Sequence, residues 1–491
     1  MAGEHVVHSV DRRLGGTKLA GLVTDTAGAR PGYRALAAAV RTLLLDGRVP
    51  LHTRLPAERE LAAALGVSRA TVTAAYDLLR DGGYARSRRG ASTWTELPEG
   101  SRPTSVAAYG VDDGDEDVID LAVAAPPAPE GALADALAAA AAELPRHAPT
   151  AGYHPYGLPR LRAAVADRYT RRGLPTLPEQ ILITNGAQHA ISLTLTLLGR
   201  PGDRVVVENP SYPNALDAIV RAGLRAAPVP VTDTGWDTAL VESTLRQAAP
   251  RVAYLVPDFQ NPTGALMERE QRLRVLEAAR ATGTWLLIDE TIADIALDVP
   301  APAPFASLAP HGVAEQVITV GSLSKSHWGG LRIGWVRAGS RLVTELATAR
   351  ITTDMATSVL DQLVALRLLA GIDDVLAERL PRLRASRDAL AAALTREVPE
   401  WRWRLPTGGL CLWVDLGAPY ASALAAAARG HGVRIEGGAR FGADPGTHEH
   451  RLRIPYVLPP HRCEAAAARL AAALATGLKA TPPAHGREWV A

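Results

Sequence analysis

Residues 321–335 read GSLSKSHWGGLRIGW. The segment continues an apolar, β-rich run, VITVGS (317–322), and carries Lys325 among serines and Arg332 behind a pair of glycines. Of 53 Lys plus Arg in the chain, only Lys18, Lys325 and Lys479 are lysines, and two of the three stand near the chain ends. Any chemistry that needs a primary amine therefore has almost no choice of residue. Upstream of this segment, QILIT (180–184), RVVVEN (204–209), VAYLVP (252–257) and TWLLIDE (284–290) alternate with helix-like stretches. That alternation predicts an α/β unit with a mostly parallel sheet. The runs close on polar punctuation: TNGAQHA (184–190), ENPSYPN (208–214), DFQNPTG (258–264) and DETIAD (289–294). Those closures fall at the carboxyl ends of the expected strands, where the ligand site of such a sheet lies.

Singly, these signals are weak. An NPTG is often only a turn, a strand-end Asp is often a helix cap, and a buried Arg is often an ion-pair partner. Their joint occurrence in this order, together with GYHPYGLPRLR (152–162), PTGGLCLW (406–413) and RLRIPY (451–456), resembles the fold-type-I, class I aminotransferases, which use pyridoxal 5′-phosphate. The resemblance runs from about Ile119 to the last helix. It implies that Lys325 holds the cofactor covalently, that Asp289 pairs with the pyridine nitrogen, and that Asn261 donates to the phenolate oxygen. It implies that Tyr212 lies on the ring face. The phosphate would sit at a helix N-terminus formed by Gly186, Ala187 and Gln188, with Ser322, Ser324 and Arg332 completing its shell. Tyr153 would reach the phosphate of a partner subunit in a homodimer, and Arg453 would clamp a substrate carboxylate. One departure stands out. Where the family has a tyrosine three residues after the strand-end Asp, this chain has Ile292, which removes a donor to the phenolate oxygen and puts rapid turnover in doubt.

A different unit precedes this body. Tyr33, Leu36, Ala37, Val40, Leu43 and Leu44 recur at helical spacing, predicting a helix over 32–46 closed by Asp46-Gly47. AERELAAAL gives a second short helix ending at Gly66, and Ser68 is a candidate N-cap for RATVTAAYDLLRDG. Two helices joined by a glycine turn have the form of a helix-turn-helix, and GYARSRRGASTWT adds a hairpin wing around Arg88-Arg89-Gly90. Between residues 30 and 95 stand eleven arginines against five carboxylates, a net +6 in a chain whose total is +2. A recognition helix presents its first turns to the major groove, so Ser68, Arg69, Thr71 and Thr73 would face duplex DNA. Arg59, Arg89 and Gly90 would lie along the backbone and minor groove. The plainer alternative is a small helical domain with a solvated arginine face. RLPAERELAAALGVSRATVTAAYDLLRDGGYARSRRGAS closely resembles the winged helix of the GntR superfamily of bacterial regulators. A head of this type fused to an aminotransferase-like body is the architecture of the MocR subfamily. That resemblance implies a homodimeric regulator sensing an amino compound, or pyridoxal phosphate itself, and alternatively an active aminotransferase with a tethered head.

The expected organisation is an N-terminal extension (1–25), the winged helix (26–96), an acidic linker (97–118), the body (119–480) and a tail (481–491). The linker's DDGDED lacks the flanking helices and later glutamate of a calcium loop, so a solvated tether is expected and no metal site. The charged N-terminus without an apolar core does not read as a signal peptide, and no long apolar run suggests a membrane span. Two cysteines, Cys411 and Cys463, fit a reducing cytoplasm.

Overall fold

The computed structural model describes residues 12–87, 92–98, 117–310, 312–444 and 446–476. The head comprises β1 (Arg12–Arg13), α1 (Gly16–Ala27), α2 (Tyr33–Leu45), β2 (Thr53–Arg54), α3 (Glu58–Leu65), α4 (Arg69–Asp81), β3 (Ala85–Ser87) and β4 (Thr93–Thr95). The turn between α3 and α4 works as its residues dictate. Gly66 takes the left-handed conformation (φ 65°), and the Ser68 hydroxyl accepts from the Thr71 amide at 3.1 Å. β3 and β4 pair antiparallel, giving the two flanks of the wing; the tip with Arg89 and Gly90 lies outside the described residues.

The N-terminal extension contributes more than its sequence suggested. Leu19 and Val23 on α1 are fully buried in the head core, each contributing about 1.5–3 kcal/mol of burial. The Gly15-Gly16 pair at the start of α1 masks the helical period, and tertiary packing overrides it.

The body opens with β5 (Ile119–Asp120), α5 (Glu130–Glu143) and α6 (Pro159–Arg171). The main strands follow: β6 (Ile181–Thr184), β7 (Arg204–Asn209), β8 (Arg225–Thr232), β9 (Gly235–Trp236), β10 (Val252–Leu255), β11 (Trp285–Asp289), β12 (Val317–Ser322) and β13 (Gly334–Arg337). They form one sheet in the order β6-β13-β12-β11-β10-β7-β8-β9. Its centre is parallel as expected, while β13 runs antiparallel between β12 and β6. Apolar clusters cover both faces, which is why its strands read as continuous apolar runs rather than as alternation. A smaller unit has its own core around β14 (Cys411–Asp415), β15 (Val433–Arg434) and β16 (Arg451–Pro455), with β15 paired to β5. Among the described residues no helix is long and apolar enough to cross a membrane. The acidic cluster 112–116 and the tail 481–491 lie outside the described residues.

Candidate functional site

Every predicted cofactor residue of the sheet stands at or just past a strand's carboxyl end, except Arg332, which precedes the antiparallel β13 and so reaches the same edge. Lys325 is partly buried on the turn after β12, and its Nζ donates to the Ala124 carbonyl at 3.0 Å. Burial, and then the neighbouring Arg453 charge, push its pKa down to about 8, against the opposing pull of Asp289. At pH 8 about half of such amines are neutral, against roughly 0.3% for an ordinary lysine. Covalent capture of pyridoxal phosphate should therefore rise with pH and level off just above 8. A rise that continues to pH 10 would show that the amine is not so tuned.

Asp289 is buried and held at both oxygens. The Tyr254 hydroxyl donates to Oδ2 at 2.8 Å, and the Thr291 hydroxyl and amide donate to Oδ1 at 2.7 and 3.0 Å. Oδ2, with one donor, retains a further lone pair for a pyridinium donor. Tyr212 accepts from the Asn214 amide at 2.9 Å, and burial pushes its phenol up to about 12 against the lowering pull of that bond. It also feels Asp289, Arg332 and Arg453, which places these four residues and Lys325 in one electrostatic neighbourhood.

The expected anion cradle is assembled by close approach. α7 (Gly186–Leu198) follows β6 and carries no acidic residue in its first turn. Gly186 has φ 78°, and a Cβ there would sit 2.7 Å from Arg332 Nη2, so both the conformation and the space demand glycine. Arg332 is exposed and donates to the Asn185 carbonyl at 3.1 Å. The Ser322 and Ser324 hydroxyls are 2.8 Å apart beside it. Gln188 reaches the Asn214 carbonyl at 3.0 Å, leaving its buried side-chain oxygen without a partner.

Arg453 is fully buried on β16. One nitrogen donates to the Ala122 carbonyl, and the guanidinium stacks on Phe441 at 4.8 Å. Nε and Nη1 are buried without hydrogen-bond partners. A buried cation with two idle donors is costly unless something completes it, and a carboxylate fits that fork. The Asn261 side-chain oxygen is likewise buried and unpartnered. These orphan groups, the basic anion cradle and the partly buried amine fit pyridoxal phosphate and an amino acid. Tyr153 stands apart, 63% exposed, and Ile292 is buried in the apolar core of the smaller unit. Sequence reasoning missed Tyr254, Thr291 and Phe441. Tyr254 lay inside an apolar strand where only its hydroxyl could have signalled a polar role.

In the head, Ser68 and Arg69 are exposed at the start of α4 and Arg59 is exposed on α3. Thr73 turns back, its hydroxyl donating to Glu58 at 2.9 Å, and the Thr71 hydroxyl lies 2.9 Å from that of Ser68. Among the described residues no group of His, Cys, Asp or Glu could hold a metal ion.

A doubly covered mixed sheet with an amine, a carboxylate and an anion cradle at one edge defines an aminotransferase-like body. The chain belongs to the aminotransferase class I and II family, whose profile matches residues 116–470, while that of the bacterial regulatory proteins of the gntR family matches residues 32–94. A probable rhizopine catabolism regulatory protein, MocR, of Rhizobium meliloti is 31% identical over 77% of this chain and 80% of its own length. A 2-aminoadipate transaminase of Thermus thermophilus is 33% identical over 67% of this chain and 83% of its own. Among solved structures, the α-aminoadipate aminotransferase LysN of Thermus thermophilus, complexed with N-(5′-phosphopyridoxyl)-L-leucine, superposes with a TM-score of 0.68 at 30% identity, covering 74% of this chain and 93% of that one. The order of the two units and the regulator relatives agree with the MocR resemblance.

Proposed function

We propose that this chain is a DNA-binding transcription regulator whose aminotransferase-like body binds pyridoxal 5′-phosphate and reads an amino compound, or the cofactor itself. The observation that carries this reading is the fusion of a gntR-type head to a body that keeps a partly buried Lys325 facing Asp289 and Arg453. The head would span 26–96 together with α1, joined through 97–118 to a body over 119–480. When bound, the cofactor supplies an electron-withdrawing ring linked to an amine. Lys325 would hold it, Asp289 would keep a proton on its ring nitrogen, Asn261 would donate to its phenolate oxygen and Tyr212 would cover its face. Ser322, Ser324, Arg332 and the amides of Gly186, Ala187 and Gln188 would hold its phosphate, and Arg453 would receive the carboxylate of an amino acid.

Pairing of two chains would bring the exposed Tyr153 to the neighbouring site and set two heads on one symmetric assembly, matching paired DNA half-sites. Light scattering at micromolar concentration should give a dimer mass; a monomer with cofactor bound would contradict the shared site.

Ile292 offers no hydroxyl to the cofactor and is itself buried in an apolar core. Slow turnover is the expected consequence. The test supplies amino acids and 2-oxoglutarate to the cofactor-loaded protein and follows keto-acid formation beside DNA affinity. A change in DNA affinity with little turnover supports the regulator. Rapid multiple turnover with DNA affinity unchanged would instead make the chain an aminotransferase with a tethered head.

A further inference from the structure

The head is seated on the body at the end of α2. The Leu45 carbonyl accepts from the His448 amide at 2.7 Å, and Asp46 Oδ1 meets His450 Nε2 at 2.5 Å, both side chains largely buried. Gly47, with φ 66°, lies so close to Asn209 that a Cβ would stand 2.3 Å from its Nδ2. Asn209 Oδ1 in turn meets His448 Nε2 at 3.1 Å and the Ala443 amide at 3.0 Å. A second contact lies further out, where Lys18 on α1 pairs with Asp237 at 2.7 Å. Exposed pairs of that kind are worth little, so the seat rests on the buried contacts at 45–47.

The body residues of this seat belong to the two segments that build the candidate ligand pocket. Asn209 ends β7, three residues before Tyr212, and the Ser211 amide donates to the Phe441 carbonyl at 2.9 Å. His448 and His450 lead directly into β16, which carries Arg453. Between the two runs a packed aromatic path. The Arg453 guanidinium lies 4.8 Å from Phe441, Phe441 lies 5.7 Å from Trp413, and Trp413 lies 6.0 Å from His448. A cavity of about 270 Å³ sits beside this path, lined by Asp46 and Arg48 of the head and by Asp233, Trp413, His448 and Arg451 of the body. The seat therefore adjoins open space into which the head or His448 can shift without displacing a packed core.

Resting on the regulator reading above, we infer that Asn209, His448 and His450 form a docking seat for the head, and that occupancy of the pocket between Tyr212 and Arg453 sets how firmly the head is held. A ligand engaging the idle nitrogens of Arg453 changes the stack on Phe441. A ring packed under Tyr212 changes the segment that begins at Asn209. Both changes reach the same few residues against which Asp46 and Gly47 rest. The seated head leaves Ser68 and Arg69 exposed, so the seat orients the recognition helix and does not mask it. On a symmetric pair of chains, orientation is what fixes the spacing of two heads on DNA.

The experiment compares full-length wild type with Asp46→Asn and His450→Gln, neither of which touches the candidate cofactor residues. Hydrogen exchange of the peptides covering 42–48 and 446–451 is measured with and without pyridoxal phosphate, and DNA affinity is measured under the same two conditions. In wild type, pyridoxal phosphate should change exchange in both peptides by at least about five-fold and shift DNA affinity within the range of roughly 5–150-fold typical of coupled sites. Both variants should still bind the cofactor, with its absorbance unchanged, and should bring the affinity ratio close to one. Unchanged exchange at both peptides in cofactor-loaded wild type overturns the seat, as does full retention of the affinity ratio in both variants. A seat that responds to pyridoxal phosphate in a protein that binds no DNA would uphold the docking and refute the regulator.

Discussion

Lys325→Ala is expected to abolish covalent cofactor binding outright: no visible absorbance above the free-cofactor background, and no borohydride-trapped label on the chain. The expectation follows from elimination as much as from geometry. Lys18 is on the head and already paired with Asp237, and Lys479 follows the last helix, beyond the described residues. Of the two described lysines, Lys325 is the one that sits among Asp289, Arg332 and Arg453, with its pKa lowered to about 8. Losing the amine should leave the non-covalent contacts at the phosphate, so weak binding without the covalent absorbance should remain and be displaced by phosphate in competition assays. Lys325→Arg keeps a charge and similar bulk but cannot form the link, and it should be equally colourless while melting near wild type. The sign of the pH effect on stability is fixed by the direction of the shift. Folding disfavours the charged amine, so the cost is present below pH 8 and vanishes as pH rises through the unfolded value of 10.5. Lys325→Ala should therefore not lower the melting temperature of the cofactor-free protein at pH 7. A label that persists in Lys325→Ala, mapped to another residue, would remove the basis for the whole site.

The sheet was legible because its chemistry is local. Each strand is an apolar run and each ends in a motif of a few residues, so strand, turn and candidate ligand group could be read together. The scarcity of lysine then singled out Lys325 without any structure. The helix-turn-helix was legible for the same reason: Gly66 and Ser68 are one turn apart and carry their own conformational preferences. What escaped depends on residues far apart in the chain. The Tyr254–Asp289 bond joins neighbouring strands 35 residues apart, and nothing in VAYLVP marks its hydroxyl as aimed at a carboxylate. The stack of Arg453 on Phe441 and the Asp46–His450 contact depend on how the smaller unit and the head fold back over the sheet. α1 was missed for a third reason: two glycines and three threonines dilute its period, and its stability comes from Leu19 and Val23 packing into a core built by α2, α3 and α4.

Arg69→Ala in the full chain should weaken binding to a duplex selected from a random pool by about 1–3 kcal/mol, roughly 5- to 150-fold, and relax preference at one base pair of each half-site. Arg69 leads α4 with its side chain 59% exposed, and its only hydrogen bond among the described residues runs from Nε to Glu58 at 3.1 Å. Both terminal nitrogens are therefore available as the fork that reads a guanine edge. An ion pair this exposed contributes no more than about 1 kcal/mol, so it does not hold the side chain back from DNA. Arg59, exposed on α3, is placed for the phosphate backbone, and its loss should look different. Arg59→Ala should weaken all duplexes alike and reduce the slope of log affinity against log salt by about one, whereas Arg69→Ala should leave most of that slope in place. Thr73 provides a control on the geometry, because its hydroxyl is spent on Glu58 and Thr73→Val should cost DNA binding less than Arg69→Ala. Salt titrations by fluorescence anisotropy on the selected duplex and on one with scrambled half-sites separate these outcomes. Equal losses on both duplexes for Arg69→Ala would reduce it to a phosphate contact, and no loss for either arginine would place the DNA-binding face elsewhere than on α3 and α4.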